Sequence, residues 1–146
     1  MNRVSVAMDS KPENISFARV VVAGFIAPLD PSVDEVSDIK TAVSEAITNA
    51  IIHGYPQGEN NNTQGTVRLS LTTSECRTIT IQVADDGVGI ADIDTAREPL
   101  FTTKAELERS GLGFTVMESF MDSVTVDSTP GQGTTITLAK TLASPE

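Results

Sequence analysis

The chain has 146 residues, one cysteine and a formal net charge of −10. This length suits a single domain over residues 1–146, and the acidic charge argues against nucleic acid as a direct partner, because phosphate binding needs clustered Lys and Arg. The charge fits a basic protein partner or simple solubility equally well.

The cysteine and the apolar runs indicate the compartment. Cys76 stands alone, so an intrachain disulfide is excluded and a reducing environment is favoured. The N-terminus lacks the apolar run of a signal peptide, and the longest apolar stretch, residues 20–29, is too short to cross a membrane. We therefore expect a cytoplasmic protein with no membrane partner.

The first half of the chain predicts one strand and two helices. Apolar and polar residues alternate over residues 3–8, which is typical of a strand. Ser10 and Glu13 have capping-box spacing and predict a helix that runs to about residue 27. Ser32 and Glu35 repeat this spacing and predict a second helix that ends at Gly54, before a polar loop over residues 55–64.

The second half predicts four strands, one helix and a long lid. Alternating runs over residues 65–72 and 77–84 form a hairpin-like pair. Residues 85–110 predict a functional lid, followed by a helix over 112–121 and strands over 123–128 and 134–139. This order predicts an α+β fold with helices on one face of a mixed, mainly antiparallel sheet.

The second helix has an apolar arc and a polar stripe. The arc consists of Ile39, Val43, Ala46, Ile47, Ala50 and Ile51. The stripe, which we expect to face away from the core, consists of Thr41, Glu45, Asn49 and His53 at four-residue steps. Glu45 can accept a proton from an attacking hydroxyl, and Asn49 offers Mg²⁺ a neutral oxygen ligand.

Each of these polar side chains also has a simpler interpretation. A Glu and an Asn on one helix face are usually just solvated, and a single His at a helix end is usually a packing or capping group. The glycine motifs that follow are what favour a site.

Two glycine motifs flank the predicted lid. In residues 85–90 (DDGVGI), Asp85 can accept a hydrogen bond from an exocyclic amine, which selects adenine, and Gly87 and Gly89 permit close ligand approach. In residues 110–114 (SGLGF), Gly111 and Gly113 precede a helix, where free N–H groups face an anion. Neither motif is a Walker loop or a Rossmann fingerprint.

Three cations lie between these motifs: Arg97, Lys104 and Arg109. We expect at least one of them to contact the polyphosphate of a nucleotide. Lys104 is the candidate for this contact, although the sequence alone does not separate it from the two arginines. A solvated lid cation is the simpler interpretation of each.

Four segments resemble the motifs of one superfamily. Residues 45–54 (EAITNAIIHG), 85–90, 110–114 and 131–135 (GQGTT) resemble, in order, the N box and three glycine boxes of the GHKL superfamily, which includes histidine kinase ATPase domains and gyrase B. Residues 16–19, 43–55, 99–104 and 106–111 are more narrowly similar to the anti-sigma-F factors of spore-forming bacteria.

This resemblance implies a fold, an activity and partners. The fold is a Bergerat-type two-layer α/β sandwich with an ATP lid at about 91–113. The activity is that of a serine kinase that uses Mg²⁺ and ATP, yields ADP and phosphorylates an anti-anti-sigma protein. The same protein binds and inhibits a sporulation sigma factor, as a homodimer.

The resemblance also implies roles for single residues. Glu45 corresponds to the catalytic base, and Asn49 to the Mg²⁺ ligand. Asp85 would bind the adenine amine, with Thr134 nearby through water. The pocket and lid would be shaped by Gly87, Gly89, Gly111 and Gly113. An exposed Arg19, which can equally be an ordinary surface residue, would lie on the partner surface.

Three other functions remain possible at this point. A stress-response (sigma-B type) anti-sigma kinase differs only in its partners, and the ending His53-Gly54-Tyr55 favours the sporulation type. An isolated histidine kinase ATPase domain needs a phosphoacceptor histidine, and the single His lies inside the first motif. A binding module with a decayed nucleotide site is disfavoured by the intact motifs.

Overall fold

The elements of the protein follow the predicted order. A computed structural model describes residues 1–55, 65–88 and 113–144. In chain order they form β1 (Asn2–Asp9), α1 (Glu13–Ile26), a 3₁₀ turn (Ala27–Leu29), α2 (Val33–Asn49), a π-helical segment (Ala50–Gly54), β2 (Thr66–Thr73), β3 (Thr78–Asp85), α3 (Phe114–Phe120), β4 (Ser123–Thr129) and β5 (Gly133–Thr141).

The five strands form one sheet in the order β1-β2-β3-β5-β4. Each of the four pairings between these strands is antiparallel. The three helices pack on this sheet, which confirms the predicted α+β class. None of the described helices is long and apolar enough to cross a membrane.

The core lies between the helices and one face of the sheet. Alternate residues of the two central hairpin strands are buried: Val67, Leu69 and Leu71 on β2, and Ile79, Ile81 and Val83 on β3. All six residues of the predicted apolar arc of the second helix are buried as well. The apolar face of the second helix and the apolar face of the sheet therefore pack against each other in one core layer.

The polar stripe of α2 does not face away from the core along its whole length. Glu45 is half-buried and His53 is exposed, but Asn49 is only 8% exposed, so the expectation was wrong for this residue. Helix α2 packs against β3 and β5, and Asn49 is one of its buried residues.

The start of α2 has the predicted capping box. The Ser32 side chain accepts a hydrogen bond from the Glu35 amide at 3.1 Å, and the Glu35 carboxylate accepts one from the Ser32 amide at 2.9 Å. Glu35 also accepts a hydrogen bond from the Ala143 amide at 2.9 Å. The Ser32 and Ala143 amides lower the pKa of Glu35, so this stabilisation is present above its ordinary pKa and lost on acidification.

The predicted capping box at the start of α1 is absent. The helix begins at Glu13, so Pro12 and not Ser10 occupies the N-cap position. Pro12 makes no side-chain cap hydrogen bond. The Ser10 hydroxyl instead accepts a hydrogen bond from the Gly65 amide at 3.3 Å, and the Ser10 amide donates to the Gly65 carbonyl at 2.9 Å. Ser10 thus joins the end of β1 to the start of β2.

The two serines provide a matched test of capping. Ser32→Ala should lower the free energy of unfolding by about 0.5–2 kcal/mol, the usual cost of losing an N-cap side chain. Ser10→Ala removes one long hydrogen bond and should cost less. Urea unfolding of both variants measures the difference, and an equal or larger loss in Ser10→Ala would contradict this assignment of the caps.

Candidate nucleotide-binding site

The site is built around a carboxylate that continues a row of buried apolar residues. Along β3, Ile79, Ile81 and Val83 point into the core, and the period of two places Asp85 on the same face. Asp85 is 5% exposed. The predicted strand stopped at residue 84, whereas β3 extends to Asp85, so the acidic residue belongs to the sheet and not to the following loop.

Asp85 begins a polar row across the buried face of the sheet. It lies opposite Thr134 on β5, which in turn lies opposite Ser128 on β4. The hydroxyls of Thr134 and Ser128 are 2.8 Å apart, and both residues are buried. Among the described residues, Asn49 and Thr73 are the other buried polar side chains. The row therefore forms a polar patch on the buried face of the sheet, which is otherwise mostly apolar.

Burial makes the charged form of Asp85 costly. It raises the pKa of this carboxyl, and backbone hydrogen bonds from Gly87 and Thr134 only partly oppose the effect. The Gly87 amide donates to the Asp85 Oδ1 at 2.9 Å. A buried carboxylate held at this cost is typical of a functional site.

The turn after Asp85 is fixed by three successive backbone amides. The Asp86 amide donates to the Tyr55 hydroxyl at 2.7 Å, and the Gly87 amide donates to Asp85. The Val88 amide donates to the Gly54 carbonyl at 2.8 Å. Two of these acceptors belong to the chain at the end of the π-helical segment. The turn is therefore attached to the continuation of α2.

This attachment depends on two glycines. A Cβ on Gly87 would overlap the carbonyl group of Gly54, so the close approach of the two chains requires glycine. A Cβ on Gly54 would lie 2.8 Å from the Asp85 Oδ1, closer than real Cβ contacts allow. A side chain at position 87 would push the turn away from the helix end, and one at position 54 would displace the Asp85 carboxylate.

The predicted catalytic residue lies beside the end of the predicted lid. The Glu45 Oε2 contacts Gly113, since a Cβ on this glycine would overlap the carboxylate oxygen. Gly113 has a φ of 69°, a left-handed conformation that favours glycine, and it directly precedes α3. Glu45 therefore lies next to Gly113, where the predicted lid ends, and it is one helical turn before Asn49 on α2.

Other predicted site residues lie elsewhere or are not described. Arg19 is exposed on α1 and lines a groove of about 320 Å³ with Pro31, Val33, Val36, Ser37 and Lys40. This groove lies at the start of α2, whereas Asn49 is at its end. The predicted lid residues fall outside the described part of the chain: Gly89, Arg97, Lys104, Arg109 and Gly111.

Three residues at this site were not predicted. Tyr55 holds the Asp86 amide, and Arg68 pairs with the Asp86 carboxylate through two hydrogen bonds of 2.7 and 3.1 Å. In the sequence, Tyr55 and Asp86 are marked only by their positions, because Tyr55 directly follows the first motif and Asp86 lies within the second. Arg68 lies on another strand and had no such signal.

The described residues fit an adenine nucleotide with Mg²⁺. The buried Asp85 carboxylate offers an acceptor to an exocyclic amine, and Gly54 and Gly87 let the two segments around it pack closely. No cluster of three His, Cys, Asp or Glu side chains able to hold a metal occurs within residues 1–55, 65–88 and 113–144. Mg²⁺ commonly takes one or two protein oxygens together with substrate phosphates, and the Asn49 carboxamide suits this mode.

Solved structures share this fold. The RsbU and RsbW domains of a Mycobacterium tuberculosis protein match with a TM-score of 0.68 at 17% identity, covering 99% of this chain and 34% of that one. The catalytic domain of the histidine kinase ThkA matches with a TM-score of 0.50 at 17% identity, covering 97% of both chains. At these identities the likeness concerns the fold alone.

Family and sequence comparisons extend this likeness. The histidine kinase-like ATPase domain family matches residues 8–140. Anti-sigma F factors from Bacillus velezensis and Bacillus subtilis are 54% and 53% identical over 142 residues, covering 97% of this chain and 94% of theirs. The anti-sigma F factor of Clostridium beijerinckii is 52% identical over 139 residues, 95% of this chain and 94% of its own. The chain therefore belongs to the histidine kinase-like ATPase family and, within it, to the anti-sigma F factors.

Proposed function

We propose that this protein binds and inhibits a sporulation sigma factor and, using Mg²⁺ and ATP, phosphorylates a serine of an anti-anti-sigma protein. The observation that carries the nucleotide part is the buried Asp85 carboxylate, which is fixed by the Gly87 amide at the end of the sheet. The anti-sigma F relatives support the partner classes and favour the sporulation type over the stress-response type.

Asp85 would select the nucleotide by accepting a hydrogen bond from the adenine amine. Thr134 lies opposite Asp85 on β5, and its hydroxyl would contact the base through a water molecule. Gly87 would let the backbone approach the base. Guanine carries an oxygen where adenine carries this amine, and it would meet the carboxylate with an acceptor.

Helix α2 would supply the chemistry at the phosphates. Asn49 would hold Mg²⁺, which neutralises phosphate charge when bound. Glu45 would accept the proton of the acceptor serine hydroxyl as its oxygen bonds to the γ-phosphorus and ADP leaves. The contact of Glu45 with Gly113 supports this role, because it places the carboxylate beside the end of the lid.

The proposal extends to the rest of the chain. Residues 1–146 would form a single kinase domain in the cytoplasm, with the ATP lid at about 91–113. Within and beside that lid, Gly89 and Gly111 would shape the pocket and Lys104 would contact the phosphates. Arg19 would lie on the partner surface of a homodimer. A nucleotide-dependent lid would let a partner surface distinguish ATP from ADP.

An isolated histidine kinase ATPase domain is the weaker alternative. Such a kinase needs a phosphoacceptor histidine in a helical hairpin. The single His of this chain, His53, lies in the π-helical segment at the candidate site. Because this histidine belongs to the candidate site itself, an acceptor on a separate protein fits the chain better.

Asp85→Asn tests the adenine contact. The amide can present a donor where the adenine amine needs an acceptor, and the mismatch should cost about 1–3 kcal/mol, or one to two decades in ATP affinity. Isothermal calorimetry measures this loss. Unchanged ATP affinity would remove Asp85 from the adenine site.

The same variant has a second readout in the nucleotide-free protein. Burial raises the folded-state pKa of Asp85, so its contribution to stability is full below the ordinary pKa of 3.8 and is lost as pH rises through the folded value. Asn cannot titrate. Urea unfolding at pH 7 should therefore find Asp85→Asn at least as stable as wild type, and a clear loss would indicate a structural carboxylate.

Glu45 and Arg19 separate the two activities. Glu45→Ala should reduce phosphorylation by about 10²–10⁴-fold, the usual contribution of a positioned general base, while ATP binding and sigma-factor capture survive. Glu45→Gln keeps the bulk that lies against Gly113 and should lose as much activity. Arg19→Ala should do the reverse: it binds ATP but releases the sigma factor.

A kinase assay beside a sigma-factor pull-down at saturating Mg²⁺ and ATP measures both activities. Wild-type phosphorylation by Glu45→Gln would refute the general-base role. Normal sigma-factor capture by Arg19→Ala would show that this face of α1 is not the partner surface.

A further inference from the structure

We infer that Tyr55 is a positioning residue for adenine recognition, which acts by holding the turn that carries Asp85. This inference rests on the proposed adenine contact of Asp85. It assigns a role to a side chain outside the glycine motifs. The role follows from the contacts of the Tyr55 hydroxyl and ring and from the ion pair on the same turn.

The Tyr55 hydroxyl joins two backbone segments. It accepts a hydrogen bond from the Asp86 amide at 2.7 Å and donates one to the Thr66 carbonyl at 2.8 Å. Its ring lies against Gly65, where a Cβ would overlap the ring carbons. Tyr55 therefore ties the turn after β3 to the start of β2.

Arg68 contacts the same turn through the Asp86 side chain. Its guanidinium forms a two-point ion pair with Asp86, and the two side chains are 46% and 66% exposed. Exposed ion pairs contribute little to global stability. The two-point geometry does fix the orientation of the bonded carboxylate, and here that carboxylate belongs to the residue next to Asp85.

These contacts reach Asp85 through consecutive residues. The Asp86 amide is held by Tyr55, and the next amide, from Gly87, donates to the Asp85 carboxylate. If the Tyr55 hydroxyl is lost, the Asp86 amide loses its acceptor and the turn can shift. The Gly87 amide would then aim differently at the carboxylate, and so the contact with the adenine amine would weaken.

The test compares ATP with purine riboside triphosphate, which lacks only the 6-amino group. Wild type should prefer ATP, and Tyr55→Phe should reduce this preference by about 3- to 10-fold, the range expected for one net hydrogen bond. Arg68→Ala, at an exposed position, should reduce it in the same direction. Ser5→Ala removes a hydroxyl that bonds Ser70 on the sheet and is the matched control.

A double variant shows whether Tyr55 acts through Asp85. In an Asp85→Asn background, Tyr55→Phe should leave the remaining preference unchanged. An unaltered preference in Tyr55→Phe, whatever its unfolding temperature, would overturn the inference while the adenine contact stands. Equal binding of both nucleotides by wild type would instead refute the adenine contact and the inference together.

Discussion

The attachment of the Asp85 turn to the end of the second helix is the constraint on which the site depends. Gly54 and Tyr55 accept hydrogen bonds from the Val88 and Asp86 amides, at 2.8 and 2.7 Å. These hydrogen bonds fix the position of the carboxylate at the end of the sheet relative to the polar residues of the helix. A nucleotide that contacts both can be held without the two layers having to be brought together on binding.

The same contacts hold a destabilising group at the candidate site. Asp85 occupies a position that an apolar residue would fill at lower cost, since burial raises its pKa. The surrounding core is formed by regular alternation of buried residues on β2 and β3. The capping box at Ser32 stabilises the opposite end of α2.

Periodic patterns predicted most of the fold, and contacts between distant segments produced the differences. Strand alternation and the Ser32 capping box were confirmed because each depends on neighbours in sequence. Ser10 showed the same spacing but bonds to Gly65, which directly precedes β2. The burial of Asn49 and the contacts of Tyr55 and Arg68 with Asp86 depend on how distant segments come together in space. No local pattern encodes such contacts.

Phosphoryl transfer is the most direct test of the proposed kinase function. The protein is incubated with Mg²⁺, a candidate anti-anti-sigma protein and ATP radiolabelled at the γ-phosphate, and the labelled product is analysed for its phosphoamino acid. A serine kinase of this kind should yield phosphoserine on the anti-anti-sigma protein. Acid-labile phosphohistidine on the chain itself, or ATP binding with no transfer to any anti-anti-sigma protein, would contradict it.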